Sequence, residues 1–104
     1  MDFKSLGENL GLEEDEFIEI VELFIDTAHK DFERIQAAVN NNNPQELVES
    51  SHSLKGAAGN LGFSEISICA EFIEKKGRNG EIDGFDLQLS DIKKRLEEIK
   101  IKIV

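Results

Sequence analysis

The sequence predicts an all-α protein, an up-down antiparallel four-helix bundle with a short additional N-terminal helix. Three observations predict it. Apolar residues recur at spacings of three and four almost throughout the chain. There is one proline in 104 residues, and no run alternates apolar with polar as a strand does. Turn signals divide the chain into amphipathic stretches separated by short loops, which places consecutive helices antiparallel.

The N-terminal segment, Asp2 to Leu10, is marked off by Gly7 and Gly11. From Glu13 to about Asn40, Phe17, Val21, Phe24, Ala28, Phe32, Ile35 and Val39 trace one apolar stripe. Glu13, Glu14, Asp15 and Glu16 open that helix, where negative charge suits the helix dipole. Such consecutive carboxylates fan around the axis and do not converge on a metal. Asn40-Asn41-Asn42-Asn43 is a turn, and Asn43-Pro44 reads as an N-cap with proline at the first helical position. The next helix runs from Pro44 to Gly62, a candidate left-handed C-cap. After Phe63, Ser64 is the expected N-cap of a helix carrying Ile66, Cys69, Phe72 and Ile73 inward and ending near Gly77 to Gly80. Asp83 or Gly84 is expected to open the last helix, whose Phe85, Leu89, Ile92, Leu96, Ile99 and Ile103 repeat like a coiled-coil seam. With no repeat and no Pro/Ser-rich linker, residues 1–104 are read as a single domain.

Charge excludes several classes of partner. Lys+Arg 12 against Asp+Glu 22 leaves −10 at neutral pH, the opposite of the basic surface that nucleic acid or an anionic membrane requires. No apolar run is long enough to span a bilayer, and Met1-Asp2-Phe3-Lys4 does not begin a signal peptide, so the expected location is cytoplasmic. Cys69 is the sole cysteine, which leaves no disulfide framework and no paired-cysteine metal knuckle; its spacing makes it a small core residue. No phosphate-cradling glycine loop or dinucleotide fingerprint is present.

The Pro44–Gly62 helix carries the chemistry. At about 100° per residue, Leu47, Leu54, Ala58 and Leu61 share the core face, and His52 lies almost opposite. Within about 60° of His52 on that projection fall Val48, Lys55, Gly56, Gly59 and Phe63. Two glycines inside a helix cost roughly 1 kcal/mol each relative to alanine, and core packing does not account for them on an exposed face. They leave His52 on an open floor that another macromolecule can approach. Lys55, one turn on, is a mobile cation beside the imidazole. A neutral imidazole is a good nucleophile towards phosphorus, and phosphoryl transfer needs access and charge compensation above all. The group fits a histidine that carries a phosphoryl group.

The run His52-Ser53-Leu54-Lys55-Gly56-Ala57-Ala58-Gly59-Asn60-Leu61-Gly62-Phe63 closely resembles the signature of histidine phosphotransfer (HPt) domains, the four-helix modules of phosphorelays. Glu22-Leu23-Phe24-Ile25 and the stretch from Cys69 to Arg78 resemble the same family, so the likeness covers roughly residues 10–100. The resemblance implies that His52 takes a phosphoryl group at Nε2 from a receiver-domain aspartyl phosphate and passes it to another receiver, without ATP or autokinase activity of its own. It implies that Lys55 is the phosphate-side lysine and Gly56 the small residue admitting the receiver. In several members a polar residue on the following helix bonds the active histidine. A hairpin folded at Gly62-Phe63 mirrors His52 onto Ile73 or Glu74, and Glu74 is the polar one. Its carboxylate would orient Nδ1–H, yet would repel a nearby phosphoryl group. Val48 and Phe63 read either as routine helix-end residues or, with Gly56 and Gly59, as a partner-docking strip.

His29 projects to the rim of its apolar stripe and reads as a solvated edge residue. Lys75, Lys76 and Arg78 suit a helix C-terminus, and one of them is also free to face a receiver's acidic rim. The expected partners are receiver domains of response regulators or of a hybrid histidine kinase. No cofactor is expected in this chain, with Mg²⁺ confined to the partner receiver. A monomer is the simplest state, although the last helix's seam suits a dimer. Three other readings compete: a module that binds and sequesters a receiver without turnover, the phosphoacceptor segment of a kinase, and a metal-binding bundle. The second needs an ATP-binding domain, which is not seen before Val104; the third needs Glu-x-x-His pairs, which the two histidines do not supply.

Overall fold

A computed structural model describes residues 2–103. Met1 and Val104, the ends of the expected 1–104 domain, lie outside the described residues. Five helices follow in order: α1 (Phe3–Asn9), α2 (Glu14–Asn40), α3 (Pro44–Asn60), α4 (Ser64–Arg78) and α5 (Asp86–Ile103). Consecutive helices pack on one another, and α5 closes the ring against α2. The all-α bundle with a short leading helix is therefore present as the periodicity predicts.

Local chemistry sets the helix ends. Asp2 caps α1 by accepting from the backbone N–H of Lys4 and Ser5. Glu13, the expected first residue of α2, is its N-cap, so the helix begins one position later at Glu14; the Glu13 N–H donates to the Glu16 carboxylate at 3.0 Å. Asn43 caps α3 by accepting from Glu46 N–H at 3.2 Å, with Pro44 at the first turn as predicted. Gly62 has φ +85°, a left-handed turn that suits glycine and reverses the chain between α3 and α4.

Several expectations change beyond that turn. The N-cap of α4 is Phe63, not Ser64, because Phe63 is drawn into the core and Ser64 becomes the first helical residue. The inward face of α4 is Ile66, Ala70, Ile73 and Gly77, a four-three-four spacing. Phe72 lies off that line and is 39% exposed, with Lys76 Nζ 5.7 Å from its ring centroid. Cys69 is half-buried against the core, Sγ 3.4 Å from Asp91 Oδ2; burial, with Asp91 adding to it, pushes the thiol up to about 11. The last helix starts at Asp86, later than expected. Gly84 has φ +86° and is outside any helix, and the carbonyl of Phe85 accepts the first backbone bond, from Leu89 N–H.

The core is an aromatic end and an aliphatic middle. Phe63 sits among Phe3, Phe17 and Phe24, with centroid distances of 6.4, 6.3 and 5.3 Å. Ile92, Leu96 and Ile99 of α5 are fully buried. Of the seam expected over Phe85, Leu89, Ile92, Leu96, Ile99 and Ile103, Leu89 and Ile103 are half-buried and the other four are buried in the core.

Candidate functional site

The site is built on the α3–α4 hairpin. Two glycines bring these helices close together. A Cβ on Gly77 would lie 2.9 Å from Val48 Cγ2, and one on Gly59 would lie 3.3 Å from Ser67 Oγ. Ser67 Oγ also donates to the carbonyl of Lys55 at 3.0 Å. On the other flank Ser53, next to His52, donates to the buried carboxylate of Asp31 on α2 at 2.7 Å. The backbone around His52 is therefore held from both sides.

His52 stands outward as the projection predicts, its side chain 62% exposed. Beneath it, Glu74 of α4 is only 4% exposed and lies 2.8 Å from His52 Nδ1. An ionised carboxylate can only accept, so Nδ1 carries the proton and, in the neutral ring, Nε2 keeps its lone pair. Burial disfavours charge on Glu74, but hydrogen bonds from Lys55, Arg78 and His52 outweigh it and hold its carboxyl down to about 2. Lys55 Nζ lies 2.6 Å from Oε1, and an Arg78 guanidinium nitrogen lies 2.6 Å from Oε2. The expected mirror-image pairing of His52 with Glu74 is what the hairpin produces.

The other predicted residues divide. Lys55 reaches the site, but held by Glu74 and not as a free surface cation. Gly56 is exposed, and a Cβ there would meet nothing within 4 Å, so the floor beside His52 is open. Gly59 is exposed as well, but its missing side chain serves the approach of Ser67. Val48 is half-buried against Gly77 and belongs to the helix seam. Phe63 is not on the His52 face at all: it is 6% exposed, inside the aromatic cluster. Projecting it past Asn60 assumed helical rotation where Leu61 and Gly62 turn the chain. His29 is likewise not a solvated edge residue. Its ring is half-buried in a cleft with Phe32 and Leu96, and Nε2 is buried without a hydrogen-bond partner among the described residues.

The helix dipole alone accounts for Arg78 in the sequence, whereas the structure pairs it with Glu74. The legible signal was its spacing: Glu74 and Arg78 are four apart, acid first, the favourable order for a helical ion pair.

The Hpt domain family matches residues 19–101. Phosphorelay intermediate protein YPD1 of Candida albicans is 34% identical over 96 residues, covering 89% of this chain and 51% of that protein. The chain thus spans about half the length of the curated relative it matches. The crystal structure of histidine-containing phosphotransfer protein B (HptB) from Pseudomonas aeruginosa PAO1 superposes with a TM-score of 0.84 at 20% identity, covering 99% of this chain and 90% of that one. That likeness establishes a shared fold.

Proposed function

This chain belongs to the Hpt domain family, and from that premise we propose that it is a phosphorelay intermediate in which His52 accepts a phosphoryl group from a receiver-domain aspartyl phosphate and passes it to another receiver. The observation that carries this reading is the His52–Glu74 hydrogen bond at 2.8 Å. It fixes the proton on Nδ1 and leaves Nε2 as the nucleophile of an exposed ring. Gly56 keeps the approach to that nitrogen open, and in-line access is what phosphoryl transfer requires. Lys55 adds positive charge beside the ring; the remaining compensation falls to the partner, with Mg²⁺ expected in the receiver's own pocket.

The protein works as a monomer in this reading, since Phe85, Ile92, Leu96 and Ile99, four of the six apolar residues of the last seam, are buried within the chain itself. A cytoplasmic setting accords with it; among the described residues no helix is long and apolar enough to cross a membrane.

The test is label transfer from a panel of phosphorylated receivers. The expected product is an acid-labile, base-stable phosphate that maps to His52, is lost in His52→Gln and is kept in His29→Gln. Label that persists in His52→Gln overturns the assignment. Receiver binding that survives His52→Ala, with no phosphoryl movement in the unsubstituted protein, makes it a sequestering module instead.

A further inference from the structure

The two oxygens of Glu74 are not equivalent. Lys55 Nζ takes Oε1 at 2.6 Å, whereas Oε2 receives both His52 Nδ1 at 2.8 Å and Arg78 at 2.6 Å. Arg78 is the last residue of α4, where its neighbours suit the helix dipole equally well. Those neighbours pair elsewhere, Lys75 with Glu71 and Lys76 with Glu81. Arg78 alone of the three reaches back to the carboxylate under the histidine. A dipole role does not require that contact.

We infer that Arg78 is a positioning residue that acts on His52 through Glu74: by sharing Oε2 it limits how strongly that oxygen accepts from Nδ1–H, and so keeps the phosphorylated ring ready to release its phosphoryl group. The inference rests on His52 being the phosphoryl acceptor and deepens that reading.

The electron balance of the transfer shows why the shared oxygen matters. The Nε2 lone pair forms the N–P bond, the P–O bond to the receiver's carboxyl breaks, and the carboxylate departs with that electron pair. No proton leaves the ring, because the proton is on Nδ1. The imidazole passes from neutral to imidazolium, and its bond to Glu74 becomes charge-assisted. An unshared carboxylate oxygen would stabilise that cation strongly and retain the group. An oxygen already committed to a guanidinium stabilises it less. Lys55, on the other oxygen, does not compete for Nδ1–H.

The effect has a sign that separates it from the obvious alternative. If Arg78 instead gripped the phosphoryl group directly, its loss would speed loss of phosphate. Arg78→Gln and Arg78→Lys are compared with the unsubstituted protein, first by the ¹⁵N shift of His52 Nδ1 in the free protein, then by phosphohistidine decay after loading His52 with phosphoramidate. In Arg78→Gln the Nδ1 resonance moves downfield and the half-life lengthens about threefold, the scale of one weakened charge-assisted bond. Arg78→Lys restores both. In a Glu74→Gln background, Arg78→Gln changes neither. An unmoved Nδ1 resonance or a shortened half-life overturns the inference. Loading from phosphoramidate with no exchange to any receiver overturns the relay reading alone, and if His52 does not load at all, the Nδ1 resonance still decides the role of Arg78.

Discussion

Placing a carboxylate beneath an exposed histidine costs desolvation, and the cost is met here by two cations and an N–H donor: Glu74 is 4% exposed and holds Lys55, Arg78 and His52 Nδ1–H at once. Its carboxyl, held at about 2 against an ordinary 4.5, ties stability to pH. Because the folded-state value is depressed, the unfolded chain binds the proton first as pH falls. The contribution is complete above 4.5 and disappears as pH falls through about 2. Glu74→Gln is therefore expected to lower stability by about 1–2 kcal/mol at pH 7 and to flatten the urea-midpoint profile across that acid window. A profile that superposes on the parent's would show the carboxylate to be energetically silent. Gly56 has the opposite character: a Cβ there meets nothing within 4 Å, so Gly56→Gln should leave the thermal midpoint unchanged or slightly raised, since the glycine costs about 1 kcal/mol in a helix. Transfer from a phosphorylated receiver should slow at least tenfold, about 1.4 kcal/mol on the barrier; unchanged transfer in the folded variant would remove the access argument. At this scale the sequence was readable wherever helical rotation applied. His52, Gly56 and the pairing with Glu74 follow from 100° steps and a hairpin mirror. Arg78 was hidden because two adjacent cations shared its dipole explanation, and only side-chain geometry separates them.

Among the elements, the α3–α4 pair determines whether Glu74 sits beneath His52. Gly77 lies one turn beyond Glu74, and a Cβ there would press to 2.9 Å from Val48 Cγ2, 3.3 Å from Leu47 Cδ2 and 3.4 Å from the carbonyl of Pro44. Valine is stiff about its first torsion, so it cannot swing aside freely. Gly77→Ala is expected to cost about 1 kcal/mol net, the strain of overpacking less the helix preference of alanine, and to lengthen the contact between His52 and Glu74. Equilibrium unfolding and the Nδ1 resonance check the two parts; an alanine variant as stable as the parent would show that α4 shifts at no cost. Element boundaries were legible in proportion to their chemistry. Asn43-Pro44 announced α3 because cap and proline each have a single local geometry there, and the 27 residues of α2 carry their stripe for many turns. Phe63 and the start of α5 were misplaced because Gly62 and Gly84, at φ +85° and +86°, rotate the chain out of register with any helical projection. The aromatic cluster that then captures Phe63 involves Phe3 and Phe17, residues far away in sequence.

For the molecule as a whole, a net charge of −10 is spread over a body 42 × 22 × 19 Å. At 0.01 M salt the Debye length is about 30 Å, so most of these charges repel one another across the fold; at 0.1 M it is about 10 Å, and only near neighbours interact. The close pairs respond less. Arg34 joins Asp31 and Glu46, Arg95 joins Glu65 and Asp91, and the buried carboxylate of Glu74 joins Lys55 and Arg78. Screening should therefore remove more repulsion than attraction. A gain of about 1 kcal/mol corresponds to a rise of about 4–8 °C in the unfolding midpoint for a domain of this size, and calorimetry at neutral pH between about 0.01 and 0.15 M sodium chloride should show a rise of that order. The Glu74→Gln protein should respond with the same slope, because the long-range field comes from the whole surface and not from the site. A midpoint that falls with salt would mean that the named pairs outweigh the repulsion, and a slope altered by Glu74→Gln would mean that the site feels the global charge which its burial and its two cations otherwise hold off.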